Sequence, residues 1–383
     1  MPDRSTSAAA EINKINLFYG LMPRLGTRWA KTRPWEGKTI AVNAHLTTLT
    51  ATLLRELALG GGEWVISATD PATTDLRVVD WIRQQGWTVY NAGGVADRHL
   101  AALDHKPDLI ADVGFDLIHT LLTRRPELAE SVIGAVELTR SGITRLRGTS
   151  GLNLPVVNIN DGRLKPHVEN RHGVGESLWM AVRQLTGLHL SGRQVTVVGY
   201  GAVGQGISAY AKAGGATVSV MDTDPVRRLS ARYDGYLVPE ASEGLESAEI
   251  AVTATGCAGA ITMEMLQRLH SDTVLVNAGH GGEEIAVAQL KGSAVEAIEV
   301  GPHCTRYRLR KSGPWLSVLG SGHPLNIVLN SGSPEPVLLH FALLGLTLEW
   351  LTKTSHSPGE IPVPQEVEEE AATLALQALD PRT

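Results

Sequence analysis

The 383-residue chain has only two cysteines, Cys257 and Cys304, and neither sits in metal-ligand spacing. This scarcity excludes a disulfide framework and a thiolate metal centre, and it fits a reducing compartment, the cytoplasm. No run of basic residues appears and the net charge is a modest -6, so nucleic acid is a poor expectation for a partner. No apolar stretch approaches the roughly 20 residues a membrane span needs. The first residues, MPDRSTSAAAEINK, lack the apolar core of a secretory signal. Repeats and low-complexity blocks are also missing, and no cluster of metal ligands is expected. What is present is 43% hydrophobic residues over a length that suggests two to three domains.

From about residue 40 apolar runs alternate with amphipathic stretches: HLTTLTATLLRELALGG, WVIS, TVYN, DLIADVG, GAVEL and VVNIN. That rhythm predicts parallel strands joined by helices. The polar stretch NDGRLKPHVENRHGVG interrupts it, and ESLWMAVRQLTG then starts a second series, VTVVGY, VSVMD, IAVTATG, TVLVNAG and EAIEV. The expected fold is α/β, two doubly wound parallel-sheet domains joined by a hinge. The expected division is a first domain over 1–160, a hinge and catalytic segment over 161–178 and a dinucleotide-binding domain over 179–322. A return to the first domain over 323–352 and a C-terminal linker with a short helix over 353–383 complete it. The run VLLHFALLGLTLEWLTK has helical periodicity and enough apolar character to be largely buried.

Residues 195–224, VTVVGYGAVGQGISAYAKAGGATVSVMDTD, hold a strand, a glycine turn, a helix start, a second strand and an acid. Gly199, Gly201 and Gly204 permit a tight turn, close approach of backbone to a pyrophosphate and close packing of helix on strand. The N–H groups at the helix start, around Ala202 and Val203, are placed to hold phosphates. Asp222 ends the second strand, where a carboxylate accepts hydrogen bonds from ribose hydroxyls and repels a 2′-phosphate. The cofactor expected is NAD.

Further blocks in fixed order resemble the S-adenosylhomocysteine hydrolase family. They are AHLT at 44–47, VNINDGRLKPHVENRHGVGES at 157–177, GYGAVGQG at 199–206, TGC at 255–257, NAGHGGEEI at 277–285, RYRL at 306–309 and GHP at 322–324. The most specific is NDxxxKxxxxN followed by ES. The resemblance implies a tightly held NAD that oxidises a ribose 3′-hydroxyl transiently. The ketone acidifies the C4′ hydrogen, a thiol is eliminated from C5′, water adds and the hydride returns, so that net chemistry is hydrolysis. By motif, Lys165 acts at the 3′-hydroxyl, and Glu169 stands where the family has an aspartate and orients that lysine. His45 serves at C4′ and C5′ or on the leaving group, and Thr47 belongs to the substrate site. Asn170, Thr255, Gly256, Asn277, Gly279 and His280 fall among the cofactor contacts, with His280 also in a catalytic position. His323 matches a histidine near the substrate's base. The resemblance also implies a homodimer or homotetramer.

Departures concentrate on the substrate. The family's adenine-reading glutamate falls at Leu49, which accepts no hydrogen bond from an exocyclic amine. In IADVGFD, Asp112 fills the first of two paired aspartates and Val113 the second; Asp112 substitutes in catalysis only if the local register slips. In GAVELTRSG the sugar-binding glutamate becomes Leu138. Glu137 then lies on the opposite face of a strand and remains a candidate substrate contact. Arg140 is suited to a carboxylate or phosphate. The family's C-terminal Lys/Tyr tail, which completes the cofactor site of a neighbouring subunit, has no counterpart before Thr383, and an exchangeable NAD is expected. Three functions follow: a hydrolase or lyase of a nucleoside thioether with altered base preference, a net NAD-dependent dehydrogenase of a nucleoside or sugar alcohol, and an inactive NAD-binding regulator.

Overall fold

Short segments rich in valine, isoleucine, leucine and alanine form two separate sheets of seven strands each among the described residues. The structure is a computed structural model and describes residues 7–240, 243–269, 272–279, 283–331 and 333–380. The chain divides into two compact units, one from residues up to 169 together with 334 onward, the other from 170–333.

In the first unit, β1 (Thr39–Ala44), β2 (Glu63–Ala68), β3 (Thr88–Tyr90), β4 (Leu109–Asp112), β5 (Gly134–Glu137) and β6 (Pro155–Asn158) are all parallel. β4, β5 and β6 are buried along their whole length, which is why they read as unbroken apolar runs and not as alternation. In the second unit, β7 (Gln194–Val198), β8 (Thr217–Met221), β9 (Ile250–Thr253) and β10 (Thr273–Asn277) are parallel to one another. β11 (Glu296–Gly301), β12 (Cys304–Arg308) and β13 (Trp315–Leu319) extend that sheet, with β12 antiparallel to both neighbours. β14 (Gly359–Pro362) returns to the first sheet and pairs parallel with β6 at its edge. The strand orders are β14-β6-β5-β4-β1-β2-β3 and β11-β12-β13-β10-β9-β7-β8.

The doubly wound architecture is the one expected. Its second sheet adds the antiparallel strand β12, because Gly301–His303 makes a reversal too short for a helical crossover. The chain enters the second unit at 170 and leaves it at 334. The entry falls within the segment 161–178 expected as a hinge, where residues 165–174 form a ten-residue π-helical stretch that runs straight into helix Gly175–Thr186.

The core of the first unit centres on Trp29, Trp35 and Trp64, all at most 2% exposed, with adjacent ring centroids 5.1 and 5.7 Å apart. Helix Pro334–Leu351, buried over most of its length, packs on helices Leu21–Thr32 and Thr48–Ala58. Gly345 lets it approach, since a Cβ there would lie 2.4 Å from the Trp29 ring. Among the described residues no helix is long and apolar enough to cross a membrane. No group of three or more His, Cys, Asp or Glu side chains among them is arranged to hold a metal ion.

Candidate active site

Open parallel sheets bind ligands at the carboxyl ends of their strands, where strand order reverses. In the second unit β7 has β8 on one side and β9 on the other, so the loops after β7 and β9 flank that point. The loop after β7 is the glycine turn, and its glycines do three different things. Gly199 has φ +101°, and a Cβ there would lie 2.7 Å from the Ala254 carbonyl oxygen. Gly204 sits in the first turn of helix Ala202–Ala213, where a Cβ would lie 1.9 Å from the Gly199 carbonyl oxygen. A Cβ on Gly201 would meet only Arg227 Nη1, at 3.9 Å. The open space is thus at the helix N-terminus, beside the N–H groups of Ala202 and Val203, where a pyrophosphate needs it.

Asp222 follows β8 with a side chain 6% exposed. Its Oδ2 accepts from Tyr200 N–H at 2.7 Å and its Oδ1 from Asp224 N–H at 2.9 Å, so the carboxylate is fixed against the turn. Each carboxylate oxygen has a second lone pair, which suits a ribose diol. Arg227 Nη1 lies 3.7 Å from Asp222 Oδ2, a neighbour that the sequence did not single out. These residues fit NAD: an open cradle at a helix start, a clash-limited turn and an aimed carboxylate.

The loop after β9 is held from below. Glu284, 1% exposed, accepts from Thr255 N–H (2.9 Å), Thr255 Oγ1–H (2.8 Å) and Gly256 N–H (2.7 Å). Burial pushes its carboxyl up. Gly279 packs against the same carboxylate, leaving no room for a Cβ. Thr255 and Gly256, expected among the cofactor contacts, thus give their N–H groups to Glu284. Asn277 is held in a similar way. It is fully buried, and its Oδ1 accepts from Thr253 Oγ1–H and Gly279 N–H. Its Nδ2 donates to the Gly322 carbonyl. It clasps three loops together. His323 follows that clasped turn and is half-buried within the second unit. His280 lies outside the described residues.

In the first unit β1 lies between β2 and β4, so the reversal falls where His45 follows β1 and Val113 follows β4. His45 Nδ1 is 2.6 Å from Thr73 Oγ1, whose hydroxyl donates to the Asp70 carbonyl. That contact fixes the orientation of the imidazole after β1. Thr47 caps helix Thr48–Ala58, its hydroxyl accepting from Thr50 N–H at 3.3 Å. Val113 and Leu138 are each 7% exposed and share one apolar cluster with the half-buried Leu49.

Lys165 and Glu169 are brought together by the helical segment, Nζ to Oε2 at 2.5 Å, with side chains only 12% and 11% exposed. Glu368 of helix Gln365–Leu379 accepts from the backbone N–H groups of Arg163 and Leu164, just before Lys165. It anchors the start of that segment. Asn170 follows Glu169 and is half-buried. Arg140, at the start of helix Arg140–Arg147, is exposed and pairs with Asp161 at 3.1 Å.

Two acids expected at the site are structural. Asp112 is fully buried, with Oδ1 accepting from Asn43 Nδ2 (2.9 Å) and Oδ2 from Ile118 N–H (2.8 Å), and no register slip exposes it. Glu137, its in-register neighbour on β5, accepts from Gly114 N–H, Phe115 N–H and both the N–H and hydroxyl of Thr139. It pins the left-handed turn at Gly114 and Phe115 and is itself fully buried.

Burial drives both carboxyls up, Asp112 to about 7 and Glu137 to about 8, with the Asp112 charge adding to the rise at Glu137. Both values lie above those of an unfolded chain, about 4. The stability they contribute is complete below that range and is lost as pH climbs through about 7 and 8. Denaturant unfolding of the wild type is expected to show stability falling from about pH 4 to about pH 8 and levelling off above. Glu137→Gln should be less stable at low pH yet flatter with pH; an equal slope in both proteins would contradict this origin.

A family model described as S-adenosyl-L-homocysteine hydrolase, NAD binding domain, matches residues 170–332. The chain is 34% identical to an adenosylhomocysteinase of Pyrococcus abyssi, over 96% of this chain and 90% of that protein. It is 32% identical to one from Thermotoga maritima, over 96% and 94% respectively. It is also 34% identical to an S-inosyl-L-homocysteine hydrolase of Methanopyrus kandleri, over 94% and 88%.

Proposed function

The chain belongs to the S-adenosyl-L-homocysteine hydrolase family, and from that premise we propose that it cleaves or forms the C5′ thioether of a nucleoside whose base is not read through an exocyclic amine. It is an NAD-using hydrolase. The net dehydrogenase and the inactive regulator are not favoured, since its relatives over nearly the full chain are named as hydrolases of such thioethers. The observation that carries the reading is the Lys165–Glu169 pair, kept largely buried while three substrate-side positions have become Leu49, Val113 and Leu138.

NAD, when bound at the glycine turn and Asp222, supplies a hydride acceptor that makes a 3′-ketone from the 3′-hydroxyl and later restores it. Lys165 Nζ takes the hydroxyl proton, and the ammonium so formed lies against Glu169, which holds it in place. The ketone acidifies C4′–H. With Val113 at the position of the second aspartate, the His45 imidazole removes that proton and delivers it to the departing sulfur. Water then adds at C5′, and the same proton transfers run in reverse.

Leu49 presents no acceptor to a base amine, which removes the advantage of adenine over an oxo-purine. A relative named for S-inosyl-L-homocysteine supports that preference. The two cysteines are both free, which supports a place in the cytoplasm. The test is a panel of adenosine, inosine and pyrimidine thioethers with free thiol followed by absorbance. The expected result is thiol release from the inosine thioether at a kcat/KM at least equal to that of the adenosine one. Strong preference for adenosine, or no thiol from any member, would overturn the reading.

A further inference from the structure

β11 is the outermost strand of the second sheet, and among the described residues no strand pairs with its outer rim. Glu296–Val300 are all exposed, Ile298 at 45% and Val300 at 59%, with Val295 before them at 58%. Natural edge strands are usually blunted by lysine, proline or a bulge. This one has no lysine or proline, and its bulge falls late, between Glu299 and Gly301, so that 295–299 keeps a regular rim. The face beside it carries stacked and paired side chains. Arg308 and Arg306 lie over the Trp315 ring at 4.1 and 5.1 Å and are paired with Glu296 and Asp272. Exposed aliphatic groups beside tryptophan and arginine have the composition of interface centres.

A bare ladder of N–H and C=O groups is met by another strand, and the sequence of β11 indicates which one. In an antiparallel pairing of two copies about a two-fold axis, one residue faces itself. Axes on Glu296 or Glu299 set acid against acid, and an axis on Ile298 draws the bulged Val300 into the pairing. An axis on Ala297 uses only regular residues and pairs Val295 with Glu299 and Glu296 with Ile298, so no like charges meet.

We propose that β11 pairs antiparallel with β11 of a second copy of this chain, centred on Ala297, joining two seven-stranded sheets into one. The test uses the full-length protein. Ala297→Cys is a small change at an exposed position, and Cα atoms facing across an antiparallel pair stand about 4.5–5.5 Å apart, within disulfide range. Mild oxidation is expected to convert most of A297C to a covalent dimer, with wild type, which keeps Cys257 and Cys304, and I298C remaining uncross-linked. Ala297→Lys puts two ammonium groups face to face and is expected to halve the mass seen by light scattering, while NADH fluorescence titration shows unchanged binding. A mass unaffected by A297K, or an A297C protein that does not cross-link, overturns the proposal. Loss of NADH binding in A297K would show misfolding, and the A297C result then decides alone.

Discussion

Replacing Lys165 with alanine is expected to slow formation of the reduced nicotinamide by about 10²–10⁴-fold in a single turnover, the usual contribution of a positioned proton-transfer group. The size follows from position and from the absence of a substitute. Lys165 is 12% exposed, so water does not readily take its place, and its partner Glu169 is held to the same buried pair. NAD affinity should be unchanged, because the glycine turn and Asp222 form the cofactor cradle without any contribution from Lys165. Small primary amines added to K165A should restore part of the rate, which a merely structural lysine would not permit. Arginine at this position should not rescue, since a guanidinium stays protonated and cannot accept the hydroxyl proton.

Gly204→Ala is expected to lower NAD affinity by about 10–100-fold and to lower Tm as well. A Cβ at 204 would stand 1.9 Å from the Gly199 carbonyl oxygen, a backbone atom in a turn that is itself held against Ala254. No flexible side chain is available to yield, so the helix start must move off the turn, at an overpacking cost of about 1–3 kcal/mol. A shift of 1.4 kcal/mol in binding is tenfold, which sets the range. Gly201→Ala is the informative contrast. Its Cβ meets only Arg227 at 3.9 Å, so the free protein should keep its Tm, and the cost should fall on the cofactor alone. Titration by nicotinamide fluorescence together with thermal unfolding separates the two. Equal effects of both substitutions on Tm would contradict the division of roles among these glycines.

The features legible in the sequence were those set by local rules. A glycine turn between an apolar strand and a helix, followed by a second strand and an acid, declares itself by spacing, and Lys165 and Glu169 meet because four residues make about one helical turn. The doubly wound pattern showed in the alternation of apolar runs with amphipathic helices. What escaped depends on partners distant in the chain. Asp112 and Glu137 looked like site carboxylates until their acceptor oxygens were seen to be taken by Asn43, Ile118, Gly114, Phe115 and Thr139. Asn277 and Glu284 form clasps beneath the cofactor loops, and a polar residue in a loop motif gives no sign of which way it faces. Glu368 anchors the Lys165 segment from some 200 residues away in sequence. Strand direction was equally hidden: EAIEV reads as a strand, but nothing in it or in the RYRL block shows that β12 runs against its neighbours.

The central claim is that the hydride taken from C3′ returns to the same carbon. A nucleoside thioether carrying deuterium at C3′, incubated with NAD-loaded protein, tests it through the mass of the nucleoside released. Free thiol is expected together with a nucleoside that keeps its deuterium and no accumulation of reduced nicotinamide. Deuterium lost from the nucleoside, with reduced nicotinamide accumulating and the thioether intact, would contradict it.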